Sequence, residues 1–286
     1  MKVTAFIGSG RKRHSYNASE KFLQNLQSLG DIEYEIIRLS DFNLGTCKGC
    51  RICFDKGEEF CPYKDDRDIL IEKMKNSDGV IFASPNYTFQ VSSLMKIFID
   101  RLGFCFHRPC FFGKTFTSIV VEGIGKSNEI VKYLNFIGKC IGFNAVKGCC
   151  IKTLEPVTEK AQNKFDRVIA RQSKKFYDQL IKAIYPSPSL MFLMAFRMGR
   201  TSMRKMLDES WRDYTYYRDR GWFESDYFYP VKLDPFKKLA VTMALRSRRF
   251  DRYVLDFLSE NPGGTVINIG CGLDTRFYRV DNGRVL

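Results

Sequence analysis

Four cysteines fall within fifteen residues: Cys47, Cys50, Cys53 and Cys61, with Pro62 after the last. Two-residue spacings in a loop let successive thiolates converge on one centre. Three chemistries follow from such a set. The thiolates can ligate an iron–sulfur cluster such as [4Fe–4S], hold zinc in a tetrahedron, or stay free as redox-switching thiols. Lys48, Arg51 and Lys56 are near enough in sequence to offset a cluster's negative charge. Cys105, Cys110, Cys140, Cys149 and Cys150 lack ligand spacing and read as buried thiols. Ten cysteines without a secretory leader argue for a reducing compartment, so the expected location is cytoplasmic.

Three other segments have chemistry of their own. The first runs Gly8-Ser9-Gly10-Arg11-Lys12-Arg13-His14-Ser15-Tyr16-Asn17. Its glycines admit close backbone approach, and hydroxyls and N–H groups at a helix N-terminus can surround a phosphate dianion. Ser9, Arg11, Lys12, Ser15, Tyr16 and Asn17 are the candidate contacts. The second is Ser84-Pro85-Asn86-Tyr87-Thr88-Phe89, where exposed amides and Asn86 suit a planar heterocycle covered by Tyr87 or Phe89. The third, Glu122-Gly123-Ile124-Gly125, has two glycines that let a flat ring lie against the backbone. His14 and His107 are the two histidines; His107 is expected to pack or cap, and no general base is assigned.

Strands and helices must deliver these segments to one edge. Apolar runs at 2–7, 33–39, 79–84, 116–122 and 143–151 read as strands. Helical periodicity falls at about 17–29, after Asp65-Asp66, at 91–102, from Gly125 to 138, and at 158–184. Asp65 and Asp66 suit the start of their helix, where a carboxylate meets the positive end of the dipole. Five strand–helix alternations predict an α/β fold with a doubly wound five-stranded parallel sheet, whose ligand site lies beyond the carboxyl ends of the strands.

Taken together, Gly8-Ser9-x-Arg11-Lys12, Cys47-x-x-Cys50-x-x-Cys53, Asp65-Asp66 and Ser84-Pro85-x-Tyr87 through Lys96-x-Phe98-x-Asp100-Arg101 resemble the NADPH-dependent FMN reductase group. More narrowly, they are similar to its iron–sulfur flavoprotein branch, which is flavodoxin-like. The resemblance covers residues 1–184. It implies FMN, with its phosphate in the Ser9–Asn17 loop and its ring over Ser84–Tyr87. NAD(P)H would be co-substrate, and a quinone, free flavin or redox protein the acceptor. His14-Ser15-Tyr16 stands where the group more often has a Gly-Asn-Thr-like triplet. The alternative is an electron carrier relaying between proteins, and a homo-oligomer is expected by analogy.

Tyr185-Pro-Ser-Pro-Ser189 reads as a linker. Residues 185–240 form a helical, aromatic-rich and basic extension. Within it, Asp213-Tyr-x-Tyr-Tyr217, Gly221-Trp222 and Tyr227-x-Tyr229 resemble the C-terminal extension of clostridial-type members of the group. From about 241, Arg246 and the run Gly270-Cys-Gly272-Leu-Asp274-Thr-Arg276 resemble the leucine carboxyl methyltransferase and polyketide O-methyltransferase group, whose Gly-x-Gly loop supports S-adenosylmethionine. One helix and one strand, 265–269, precede Leu286. The expectation is therefore a truncated, incomplete α/β fragment without methyltransferase activity. The net charge of +14 is spread along the chain with no compact nucleic-acid module, so no nucleic-acid partner is expected. No apolar run is long enough for a membrane span; the longest, 190–198, contains Arg197.

Overall fold

The computed structural model describes residues 1–262 apart from 124, 154, 183 and 184. The chain divides into two compact units, and the first holds Met1–Pro186 together with Asp208–Asp219. Its sheet comprises β1 (Lys2–Ile7), β2 (Glu33–Arg38), β3 (Gly79–Pro85), β4 (Thr115–Glu122), β5 (Asn144–Ala145) and β6 (Cys149–Lys152). All pairings are parallel, in the order β2-β1-β3-β4-β5. This is the flavodoxin-like order.

Alternation along the strands divides the core between two faces. Val3, Ala5, Ile7, Ile81 and Ala83 pack with α1 (His14–Leu29) and α7 (Glu159–Leu180). Phe6, Val80, Phe82 and Phe116 meet the other side, formed by α3 (Arg67–Lys75), α4 (Ser93–Arg101) and α6 (Ser127–Cys140). Two short helices, α2 (Ile52–Asp55) and α5 (Phe104–His107), lie in the connections. Central strands buried on both faces read as continuous apolar runs, which is why β3 and β4 were plain in the sequence.

The expected strand at 143–151 is two segments instead of one. Phe116 pairs with Ala145 and Ile119 with Cys149, so four steps on the edge strand face three on β4. That is one residue too many, the count of a β-bulge. Gly148 sits at the break, where an added Cβ would lie 2.3 Å from the Ser118 carbonyl oxygen. The first helix also begins three residues earlier than its apolar periodicity, because His14-Ser15-Tyr16 form a polar first turn. Among the second set of cysteines, Cys105 and Cys149 are buried, whereas Cys110, Cys140 and Cys150 are only half-buried.

The second unit holds Ser187–Leu207 and the chain from Arg220 onward. Its α8 (Leu190–Met206) starts at Ser189, whose side chain accepts from Phe192 N–H. Phe196 packs edge-on against Tyr227 and Phe228, and Arg197 pairs with Asp226 at 2.8 Å. A further helix, α9 (Arg212–Asp219), belongs to the first unit. The last, α10 (Pro235–Glu260), is longer than the 246–259 expected. Asp234 caps it by accepting from Phe236 and Lys237 N–H, and Pro235 occupies the first turn, where its missing N–H costs nothing. Arg246 falls within α10 but its side chain, like Gly270, Gly272, Asp274, Arg276 and the 265–269 strand, lies outside the described residues. Among the described residues no helix is long and apolar enough to cross a membrane.

Candidate functional site

The loops after β1, β3 and β4 meet at the carboxyl edge of the sheet around one open cavity of about 380 Å³. Ser9, Arg11, Ser15, Pro85, Asn86, Tyr87, Glu122 and Gly123, all expected from the sequence, line it. So do Arg13, His14, Val121, Thr153 and Glu155, which were not assigned. Thr153 and Glu155 follow β6; the rule that ligands lie beyond strand carboxyl ends would have found them.

The cavity opens on the N-terminus of α1. Asn17 N–H is the first to bond within the helix, to Arg13 O, and no side chain caps the turn before it. Uncapped first-turn amides with Arg11 and Arg13 beside them can receive an anion. Lys12 instead lies over the Tyr16 ring, 5.5 Å from its centroid. Tyr16 packs on the core of the α1 face, and Asn17 lines a neighbouring groove between α1 and α7. His14 Nε2 stands 3.3 Å from Glu155 Oε1 at the cavity wall.

At the other end, the β3 loop is built around a tight hairpin. Tyr87 and Gln90 exchange both backbone hydrogen bonds at 3.0 Å, and Thr88 and Phe89 between them have φ of 52° and 60°. Left-handed backbone at a β-branched and a bulky residue costs about 1–3 kcal/mol each. The hairpin leaves Tyr87 48% and Phe89 56% exposed. Ser84 does not face the cavity; buried, it accepts from Ser92 N–H and donates to Pro85 O. Asn86 Nδ2 donates to Ser127 Oγ at 2.9 Å, and Glu122 Oε2 accepts from Ser127 N–H. These two side chains tie the loops to the start of α6. A Cβ at Gly123 or Gly125 would meet no atom within 4 Å; Gly123 lines the cavity, whereas Gly125, Thr88 and Phe89 do not. Uncapped amides at one end, Gly123 between and the exposed Tyr87 at the other are chemically suited to a phosphate and a flat ring such as those of FMN.

The cysteine loop forms a second cavity. Cys47, Cys50, Cys53 and Cys61 all line a small, largely apolar space of about 90 Å³, with Tyr63, Arg67, Arg101 and Phe104. Gly49 and Arg51 take positive φ between the thiols, so the chain reverses tightly there. Arg101 Nη1 donates to Cys61 Sγ at 3.2 Å. Burial would raise the Cys61 pKa, but the Tyr63 N–H and Arg101 outweigh it and hold the thiol below its ordinary value. Burial prevails at Cys53, whose pKa is raised despite the attraction of Arg108. Among the described residues no group of three or more His, Cys, Asp or Glu side chains is arranged to hold a single metal ion. Four soft thiols around one apolar space nevertheless suit an iron–sulfur core in kind.

Asp65 and Asp66 stand at the start of α3 as expected: Asp66 occupies its N-cap position, without a side-chain cap bond, and Asp65 Oδ1 accepts from Arg67 N–H at 3.3 Å. Asp65 Oδ2 accepts from Gly45 N–H at 2.8 Å, and Asp66 Oδ2 from Asn43 N–H at 2.7 Å. The two carboxylates staple the end of the cysteine loop to its beginning. Asp65 also accepts from Arg101 Nη2 at 2.8 Å. Burial pushes its pKa up, yet these donors and Arg67 N–H hold it below the usual carboxylate value. A depressed folded-state value stabilises the fold above the unfolded pKa, and the contribution is lost as pH falls through the folded one. Asp65→Asn is therefore expected to flatten the stability curve below about pH 4, where the unfolded carboxyl titrates. Urea midpoints measured from pH 2 to 6 check this; parallel acid limbs for variant and wild type would refute it.

The model of the NADPH-dependent FMN reductase family matches residues 1–149, and that of leucine carboxyl methyltransferase matches 163–284. The second match starts inside α7, well before the 241 expected from the motif. An iron–sulfur flavoprotein of Archaeoglobus fulgidus is 38% identical over 161 residues, covering 52% of this chain and 71% of that protein. One from Clostridioides difficile is 28% identical over 185 residues, 62% of this chain and 78% of its own length. Other iron–sulfur flavoproteins match over about half of their length. Among solved structures, RosB with bound 8-demethyl-8-formylriboflavin-5'-phosphate superposes at a TM-score of 0.50 and 12% identity. It covers 82% of this chain and 92% of its own, a likeness of fold. With the carboxyl-edge cavity and the four-cysteine loop already in place, the match over more than half its length shows that this chain belongs to the NADPH-dependent FMN reductase family.

Proposed function

We propose that this oxidoreductase holds FMN in the carboxyl-edge cavity, takes a hydride from NAD(P)H, and delivers two electrons to a quinone, a flavin or a similar acceptor. Bound FMN would accept the hydride at N5 and release its electrons singly or in pairs. The uncapped α1 N-terminus, Ser9, Ser15, Arg11 and Arg13 would bind the phosphate. Pro85, Asn86, Tyr87, Glu122 and Gly123 would position the ring, with Gly125 nearby and the Thr88-Phe89 turn holding an aromatic cover. The observation that carries this reading is the joining of an anion site and an aromatic-walled space in one cavity.

We further infer that Cys47, Cys50, Cys53 and Cys61 hold a [4Fe–4S] cluster, in keeping with the names of the relatives. Zinc and free thiols are the other outcomes of the test. Anaerobically purified protein is expected to show flavin bands with a broad iron–sulfur shoulder. Cys50→Ser should abolish the shoulder and leave flavin bound. A colourless protein that ignores added FMN would overturn the flavin reading. A zinc content of one per chain, or flavin bands alone in fresh protein, would overturn the cluster.

A second reading, an electron carrier between proteins, is favoured by the presence of four thiols at one cavity. NAD(P)H oxidation by FMN-loaded protein separates the two: a carrier turns over slowly without its partner, whereas the reductase reduces a soluble quinone directly. We assign residues 1–184 as the flavin domain, 185–240 as the extension and 241–286 as the methyltransferase-like piece. That last piece takes no step in this reaction. A cytoplasmic setting fits the free thiols, and a homo-oligomer would cover the exposed Tyr87 and Phe89.

A further inference from the structure

The chain leaves the flavin unit at Ser187, and residues 208–219 return to it before the chain departs again at Arg220. The returning segment carries α9, and α9 lies against the cysteine loop through one buried cation. Arg108 is 2% exposed, and so is Asp213 on α9. Arg108 Nη1 donates to Asp213 Oδ1. From the same guanidinium, Nη2 donates to the carbonyl of Cys53 itself at 2.8 Å and to Glu58 Oε2 at 2.6 Å. The second oxygen of Asp213 receives His107 Nδ1 at 2.7 Å, and the His107 ring stacks on Phe54, beside Cys53, at 4.2 Å. Tyr217, also on α9, donates to His107 O.

A single guanidinium thus bridges α9, a backbone carbonyl at one of the four cysteines, and the segment between Cys53 and Cys61. A buried arginine in fork geometry fixes direction as well as distance, which a flexible lysine would not. The seven residues Cys47–Cys53 around three thiols, with no fully buried side chain among them, need such an external hold.

We propose that α9 is a strap that positions the cysteine loop, with Arg108 and Asp213 as positioning residues for the thiol site. The strap acts on the loop's geometry and leaves the flavin cavity alone, since none of its residues lines that cavity. Its value to the enzyme rests on the cluster assignment above, but its effect on the loop does not.

The test uses the full chain, isolated anaerobically, and the same protein grown without iron. Asp213→Asn keeps the shape of the side chain and removes its charge. Retained iron per FMN is expected to fall about tenfold, as for other groups that orient metal ligands, while FMN affinity changes less than about twofold. In iron-free protein, alkylation of Cys53 by iodoacetamide, followed by mass spectrometry, should speed up about tenfold as the loop loosens. Should Asp213→Asn fail to fold, Glu58→Gln, on the partly exposed side of the same guanidinium, is expected to move both readouts in the same direction. Wild-type iron content together with wild-type alkylation rates would overturn the strap. If wild-type protein takes up no iron at all, the cluster assignment fails, and the alkylation rates alone then decide the strap.

Discussion

Arg101→Ala is expected to lower stability by about 3–5 kcal/mol, the cost of breaking a buried ion pair from one side. The Arg101 and Asp65 side chains are 3% and 5% exposed. Deleting the guanidinium leaves Asp65 charged and buried, with only the Gly45 and Arg67 amides as donors. It also removes the donor to Cys61 Sγ and the cation lying 5.0 Å over the Tyr63 ring. The loop's staple therefore fails together with the group that holds the Cys61 thiol low. Thermal unfolding followed by circular dichroism should show a fall in Tm on the order of 10 °C. Arg101→Lys should recover part of it, because a point charge reaches Asp65 without reproducing the fork. A Tm within about 1 °C of wild type would show that the pair contributes nothing net, as exposed pairs commonly do.

Ser15→Asp is expected to weaken FMN binding by at least about 100-fold, on the order of 3 kcal/mol. Ser15 is buried in the first turn of α1 and lines the cavity where the structure offers uncapped amides. A carboxylate there would occupy the positive end of the helix dipole and repel a phosphate dianion. Riboflavin, which lacks the phosphate, serves as the internal control: its affinity should change by less than about threefold, within the scatter of ordinary surface substitutions. Quenching of flavin fluorescence on titration measures both. Equal losses for the two ligands would mean a damaged fold, and an unchanged FMN affinity would move the phosphate elsewhere.

Several elements were legible from residues alone, for physical reasons that differ. The runs KVTAFI, GVIFAS and FTSIVVE could be read because a parallel strand buried on both faces has no solvent side to interrupt it. Helix α4 was legible because its apolar positions recur at helical spacing; that the Ser92 side chain caps it by accepting from Met95 N–H came from the structure. The edge strand was misread as continuous because a bulge is a matter of pairing register, and register is a relation between two strands. Asp65 and Asp66 do stand at the start of α3, and the approach of residues 43–45 makes them a staple as well, a relation no local window shows.

By itself, the sequence determined the α/β alternation, the three carboxyl-edge loops and the four-cysteine set, since each is a property of residue type and near spacing. Which of those residues share a space was decided by tertiary structure. Arg13, His14, Thr153 and Glu155 join the flavin cavity, while Ser84, Lys12 and Asn17 turn away from it. The contact of Arg108 with Asp213, 105 residues apart, was beyond local reading altogether. Charge pairing across that distance depends on where a returning helix lands, and that is set by packing of the whole unit, which no short window of residues contains.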